Sequence, residues 1–115
     1  MKDNLIVSKS KKFAIRIIRL YQYLLSEKKE YILSKQLLRS GTSIGANIKE
    51  AIQGQSKKDF TSKLQISLKE ASETQYWIEL LHETDYLDNT QFESMNADCI
   101  ELIKLLTAII KQSKE

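Results

Sequence analysis

The sequence predicts an all-α fold, an antiparallel up-down-up-down four-helix bundle. Three observations predict the bundle. The chain of 115 residues contains no proline and only 3 glycines, whereas strands and their turns recruit both residues. All three glycines, Gly41, Gly45 and Gly54, fall in one short stretch, RSGTSIGANIKEAIQG, from Arg39 to Gly54. Apolar residues recur at helical spacing in four separate segments, the pattern of helices that each bury one face. At this length a single domain, residues 1–115, with a core of its own is expected.

The first helix is read over residues 8–27, where Phe13, Ile17, Leu20, Tyr21 and Leu24 recur at i, i+4, i+7, i+8 and i+11, and Ala14, Ile18 and Leu25 widen the stripe. The second covers residues 34–53, with Ser34 as N-cap and Leu37, Leu38, Gly41, Ile44, Gly45, Ile48, Ala51 and Ile52 on one face. The third, residues 57–84, opens at Ser-Lys-Lys-Asp: Ser56 can cap, and Asp59 suits the positive helix start. Its stripe is Phe60, Leu64, Leu68, Ala71, Gln75, Ile78 and His82. The fourth, residues 90–113, takes Asn89 or Thr90 as cap and Glu93 as first-turn acid, and buries Phe92, Met95, Cys99, Leu102, Ile103, Leu106 and Ile110. Short polar connectors around residues 28–31, 54–56 and 85–89 make successive helices antiparallel neighbours.

Gly41 and Gly45 lie in the middle of the second helix's apolar stripe, where each costs roughly 0.8–1 kcal/mol relative to alanine. Close helix packing offsets such a loss: a bulky neighbour, such as tyrosine or phenylalanine, is expected to press on the backbone where Cβ atoms are missing. Gly54 follows the last periodic residue and reads as a C′ cap. A phosphate-binding loop would need four residues between its glycines and a Lys-Ser/Thr after the second; here three separate Gly41 from Gly45, and Ala-Asn follows.

The segment LLRSGTSIGANIKEA, followed by SKKDFTSKLQISLKEASETQYWIELL, resembles a small bacterial family encoded in intervening sequences of 23S ribosomal RNA genes, over about residues 10 to 110. That family is similar in turn to the accessory protein of diversity-generating retroelements. The resemblance implies a ring-forming bundle, usually a homopentamer, without established enzymatic activity. The retroelement relative is a nucleic-acid-binding partner of a reverse transcriptase, a role that belongs to the relative.

Several function classes find no support in the residues. No run of about 18 uncharged apolar residues exists for a membrane span. The N-terminal Met1-to-Lys12 stretch holds only Leu5, Ile6 and Val7 as an apolar run, too short for a secretory signal, so a cytoplasmic location is expected. The single cysteine, Cys99, cannot form an internal disulfide and reads as a small buried hydrophobe. The only histidine, His82, follows Glu79 in an ExxH pair. Di-iron bundles need two such pairs and further inward carboxylates, so His82 reads as a polar residue at the bundle edge. No nucleophile-base partnership is visible, and an enzyme, a cofactor, a metal site or a small-molecule substrate is not expected.

Two surfaces remain as candidates. The net charge of +3 conceals an asymmetry: residues 1–63 carry 14 Lys/Arg against 5 Asp/Glu, and residues 64–115 carry 4 against 10. Such polarity suits an anionic partner or head-to-tail contact between subunits. Lys9, Lys12, Arg16, Arg19 and Tyr23 fall within a sector of roughly 80° on the first helix at 100° per residue, and Lys35, Arg39 and Lys49 add charge on the second. These eight residues are the nucleic-acid-binding candidates for RNA or DNA: cations for phosphates, tyrosine to stack on an unpaired base. A ring would multiply a weak strip into an extended surface. The alternative is a solvated face on a scaffold module that contacts only proteins. On the third helix, Ile66, Glu73, Trp77 and Leu80 share a flank opposite the Leu64 stripe and are the candidate contacts to further copies of the chain.

Overall fold

The computed structural model describes residues 2–114, which form four α-helices: α1 (Lys2–Ser26), α2 (Leu33–Ile52), α3 (Lys57–Glu83) and α4 (Asn89–Lys114). Each helix packs on its neighbour in sequence, and α1 also packs on α4 to close the bundle. The α1–α4 seam is the thinnest and the α2–α3 seam the heaviest. The result is a rod of 44 × 20 × 19 Å.

Residue pairs fix how the helices lie against one another. Ser10 sits against Gly45 and Ile17 against Gly41. The Thr74 hydroxyl donates to Ser40 Oγ at 2.8 Å and the Ser67 hydroxyl to the Ile44 carbonyl at 2.8 Å. Cys99 Sγ donates to the Ala71 carbonyl at 3.3 Å, and Gln75 Nε2 to Asn96 Oδ1 at 3.2 Å.

α1 begins six residues before Ser8 because Ile6, 2% exposed, continues the spacing of Phe13 and Ile17 into the core. Leu37, Ile44 and Ile48 of α2, Leu64 and Ile78 of α3, and Leu102 and Leu106 of α4 complete the center. The core-facing line of α3 differs from the expected one. It runs through Leu64, Ser67, Ala71, Thr74, Ile78 and Leu81, leaving Phe60, Leu68, Gln75 and His82 half-buried. Ser67 and Thr74 look polar in the sequence, yet their short side chains let α2 and α3 approach, and their hydroxyls are satisfied within the seam. Ile18 and Ile52, expected on the core stripes, are 40% and 46% exposed, and Tyr21 is half-buried.

The helix ends correct several sequence expectations. At α2 the N-cap position is Ile32, not Ser34, and its own side chain makes no cap bond; Glu30, two residues earlier, serves the helix start instead, its carboxylate accepting from the backbone N–H groups of Leu33 at 3.0 Å and Ser34 at 2.7 Å while the Ser34 hydroxyl donates back to the Glu30 carbonyl. Charge-assisted bonds to a helix start make this the stronger arrangement. Ser56 caps α3 as expected, accepting from Asp59 N–H at 3.0 Å. At α4 the cap is Asp88, whose carboxylate accepts from Gln91 N–H at 2.7 Å while Gln91 Oε1 accepts from Asp88 N–H at 2.9 Å. This reciprocal pair displaces Asn89 and Thr90 from the role, and Glu93 lies beyond the first turn. Gly54 follows the C-cap Gln53 without a positive φ. A side chain there would fit tightly: a Cβ would lie 3.1 Å from the Ala51 carbonyl and 3.2 Å from Asp59 Cβ.

Candidate nucleic-acid interface

α1 contains no carboxylate from Leu5 to Ser26, and the acids that answer it come from α4. Arg16 donates to Asp98 at 2.6 Å and to Ser94 Oγ at 2.7 Å, and Lys9 pairs with Glu101 at 3.1 Å. Two of the five candidates on α1 are thus occupied in holding the thin α1–α4 seam, and part of the charge asymmetry is spent inside one chain. Lys12 and Arg19 are exposed and make no ion pair among the described residues. Arg19 lines a hollow of about 300 Å³ together with Arg16, Tyr23 and Gln91, over an apolar floor of Leu20 and Met95.

The candidates on α2 are placed elsewhere. Lys49 lines a separate hollow with Lys11, Val7, Ala14, Thr42 and Ala46, on the α1–α2 side of the molecule. Lys35 and Arg39 are exposed on α2 and line neither hollow. The structure therefore gathers Arg16, Arg19 and Tyr23 on the α4 side of α1 and does not join them to Lys49.

The glycines sit where α1 and α2 meet. A Cβ on Gly41 would lie 2.7 Å from Ile17 Cγ1 and 2.8 Å from Ile17 Cγ2, inside any tolerable contact. At Gly45 the nearest atom is Ser10 Oγ at 3.3 Å. The residues pressing on the bare backbone are an isoleucine and a serine, not the tyrosine or phenylalanine expected.

On α3, Ile66 and Glu73 are exposed, while Trp77 and Leu80 are half-buried. Trp77 Nε1 donates to Glu73 Oε2 at 3.1 Å, and its ring stands 5.3 Å from that of Tyr76 at a 56° tilt. Sequence reasoning missed exposed Tyr76, and it missed the outward apolar residues Val7, Ile15, Ile18 and Ile52 on α1 and α2. A signal existed on α1: its apolar residues cover more of the helix circumference than one core face uses.

The remaining reactive groups are inward or engaged. His82 Nε2 shares a hydrogen bond of 2.8 Å with Asn89 Oδ1, and its ring stacks on Phe92 at 4.2 Å and 12°. Burial pushes the Cys99 thiol up to about 12, with Asp98 and then Glu79 adding to the effect. It therefore stays protonated and weakly nucleophilic at neutral pH. Among the described residues, no group of three or more His, Cys, Asp or Glu could hold a metal ion, and no helix is long and apolar enough to cross a membrane.

The family model of the 23S rRNA-intervening sequence proteins matches residues 2–108. A crystal structure of a protein of unknown function from the S23 ribosomal protein family of Bacteroides thetaiotaomicron VPI-5482 is 58% identical, covering 96% of this chain and 99% of that one, with a TM-score of 0.95. Among curated proteins, none matches.

Proposed function

The chain belongs to the 23S rRNA-intervening sequence protein family, and we propose that it is a non-catalytic, cytoplasmic up-down-up-down bundle that forms a homo-oligomeric ring and binds RNA or DNA through the α4 side of α1. The hollow beside Arg19 carries this reading. Arg19 supplies a guanidinium for a phosphate, Tyr23 an aromatic face, and Leu20 and Met95 an apolar floor. Gln91 uses its amide oxygen on Asp88 N–H, which leaves its amide nitrogen to donate to a base edge. These are the components of single-strand recognition: phosphate contacts for affinity and a sequence-tolerant platform for unpaired bases. One such strip is weak, and repetition around a ring raises the effective concentration of the next site.

The test is fluorescence anisotropy of a labelled single-stranded RNA oligonucleotide across a salt series. Binding through phosphates weakens log-linearly with salt, with a slope of about −0.7 per neutralised phosphate for a single strand. Arg19→Ala should lower the slope, and Tyr23→Ala should weaken binding at every salt concentration. Affinity that does not respond to salt, or that survives both substitutions, would contradict the proposal. A salt-insensitive result would favour the second reading, a module directed at proteins, which the outward Val7, Ile15, Ile18 and Ile52 support.

A further inference from the structure

A hollow of about 510 Å³, where the first turns of α3 meet the last turn of α4, plays no part in that reading. Charge is separated along the rod as well as between the halves of the chain. One end gathers residues 5–14, 49–66 and 101–114, tied together by Ser10 against Gly45, Lys63 to Glu50, Lys9 to Glu101 and Thr61 to Ser113. Those segments carry 10 lysines against 3 acids, whereas residues 67–100, which lead to the opposite end and back, carry 1 lysine against 8 acids. Two of the three acids are engaged, Glu50 with Lys63 at 2.9 Å and Glu101 with Lys9 at 3.1 Å, and Asp59 lines a different hollow beside Gly54. Lys57, Lys58 and Lys114 line the hollow at this end, are exposed and make no ion pair among the described residues. No acid lines it among those residues; Glu115, next after Lys114, lies outside them.

Hydroxyls supply the neutral donors. Thr61 and Ser113 bond each other across the α3–α4 seam, so one of the two donates and the other keeps its proton, and Ser62 is exposed beside them. The start of α3 is already served, since Ser56 Oγ accepts from Asp59 N–H and the Ser56 carbonyl from Phe60 N–H. Side chains therefore define the hollow, not the end of the helix. Nucleic-acid backbones are contacted by lysine together with serine, threonine and glutamine, and Gln65 completes that set here. No aromatic residue lines the hollow, so nothing in it stacks on a base. An anionic bilayer would use the same lysines but needs outward apolar residues beside them. None of the exposed large hydrophobic residues is on α4, and Ile66 of α3 lines the hollow beside Gly54 instead.

We propose that this lysine-lined hollow is a second contact for a single-stranded nucleic acid, holding backbone phosphates without stacking or reading bases. The inference rests on the reading of the Arg19 hollow and extends it: a base is held at one place on the rod and phosphates at another. Met95 lines the first hollow and Ser113 the second, about 18 residues or about 27 Å apart along α4. A stacked strand advances about 3.4 Å per nucleotide, so about eight nucleotides span that gap. Lys104 and Lys111, exposed and two turns apart on one face of α4, lie between the two. A strand too short to cross gains nothing from the lysines. A longer one meets the second hollow at the effective concentration set by the first.

Fluorescence anisotropy of the full chain with labelled oligouridylates of about 4 and about 15 nucleotides tests this, because by the spacing above only the longer probe reaches both hollows. Lys57→Ala with Lys58→Ala should weaken the longer probe at least about tenfold and the shorter by less than about twofold. The salt slope for the longer probe should fall by about 1.4, two phosphates at about 0.7 each. Ser62→Glu, at an exposed position, sets a carboxylate in the hollow and should act in the same direction. Lys11→Ala with Lys49→Ala removes the same charge elsewhere and should weaken the longer probe by less than about threefold. Circular dichroism checks that each variant folds. A Lys57–Lys58 effect equal for both probes, or no larger than the Lys11–Lys49 effect, would overturn the second contact while the response to Arg19→Ala keeps the first. No response to Arg19→Ala would overturn both. So would a chain that ignores both probes and is held by the same lysines to phosphatidylserine vesicles.

Discussion

Gly41 and Gly45 are four residues apart on one helix, yet their surroundings predict opposite responses to the same substitution. At Gly41 an added methyl would collide with three atoms of Ile17, a side chain that is itself fully buried and has nowhere to go. Overpacking of this kind costs about 1–3 kcal/mol and outweighs the helix-propensity gain of roughly 1 kcal/mol. At Gly45 the nearest contact is 3.3 Å, to the Ser10 hydroxyl, which has to give by only a few tenths of an ångström. Gly41→Ala should therefore destabilise the protein by about 1–2 kcal/mol in urea unfolding, and Gly45→Ala should be neutral or stabilise by up to about 1 kcal/mol; equal effects would contradict the packing described. That both glycines sit in a helix was legible in the sequence, because they occupy its apolar stripe. The identity of the pressing residue was not, since it depends on how α1 is rotated and shifted against α2. The Glu30 cap was hidden for a related reason: an acid lying before the helix reaches it only through the fold of the preceding turn.

At the level of elements, the α1–α4 seam carries two ion pairs beside its apolar packing. Arg16 and Asp98 are 39% and 44% exposed in their side chains, so solvent screens much of their attraction. A double-mutant cycle with Arg16→Ala and Asp98→Ala should give a coupling of about 0.5–1 kcal/mol. The single Asp98→Ala variant carries a second consequence: it releases Arg16 beside the Arg19 hollow and should tighten binding of a single-stranded oligonucleotide a few-fold at low salt. A coupling near zero, with no change in RNA affinity, would mean that the pair neither holds the seam nor competes with phosphate. The four helices themselves were readable from apolar period alone, whereas the face of α3 was misjudged. Periodicity counts Ser67 and Thr74 as polar, but in a tight seam a small hydroxyl that bonds the facing helix packs better than a large apolar group.

For the molecule as a whole, the basic first half and acidic second half divide their charges between uses that the sequence could not separate. Lys9 and Arg16 meet acids of the same chain. Arg19 faces the hollow of the proposed nucleic-acid contact, and Lys11 and Lys49 rim a separate groove between α1 and α2. A linear sequence reports the total, and only the arrangement of helices around the rod assigns each cation a side. The apolar residues left outside follow the same logic, because Val7, Ile15 and Ile18 count as a wide core stripe until α2 is in place. The central claim is that these outward apolar surfaces are covered by further copies of the chain. Native mass spectrometry of the full-length protein at low micromolar concentration tests it most directly. The account predicts one dominant species at a fixed multiple of 13.3 kDa; a species of 13.3 kDa that persists as concentration rises would contradict it.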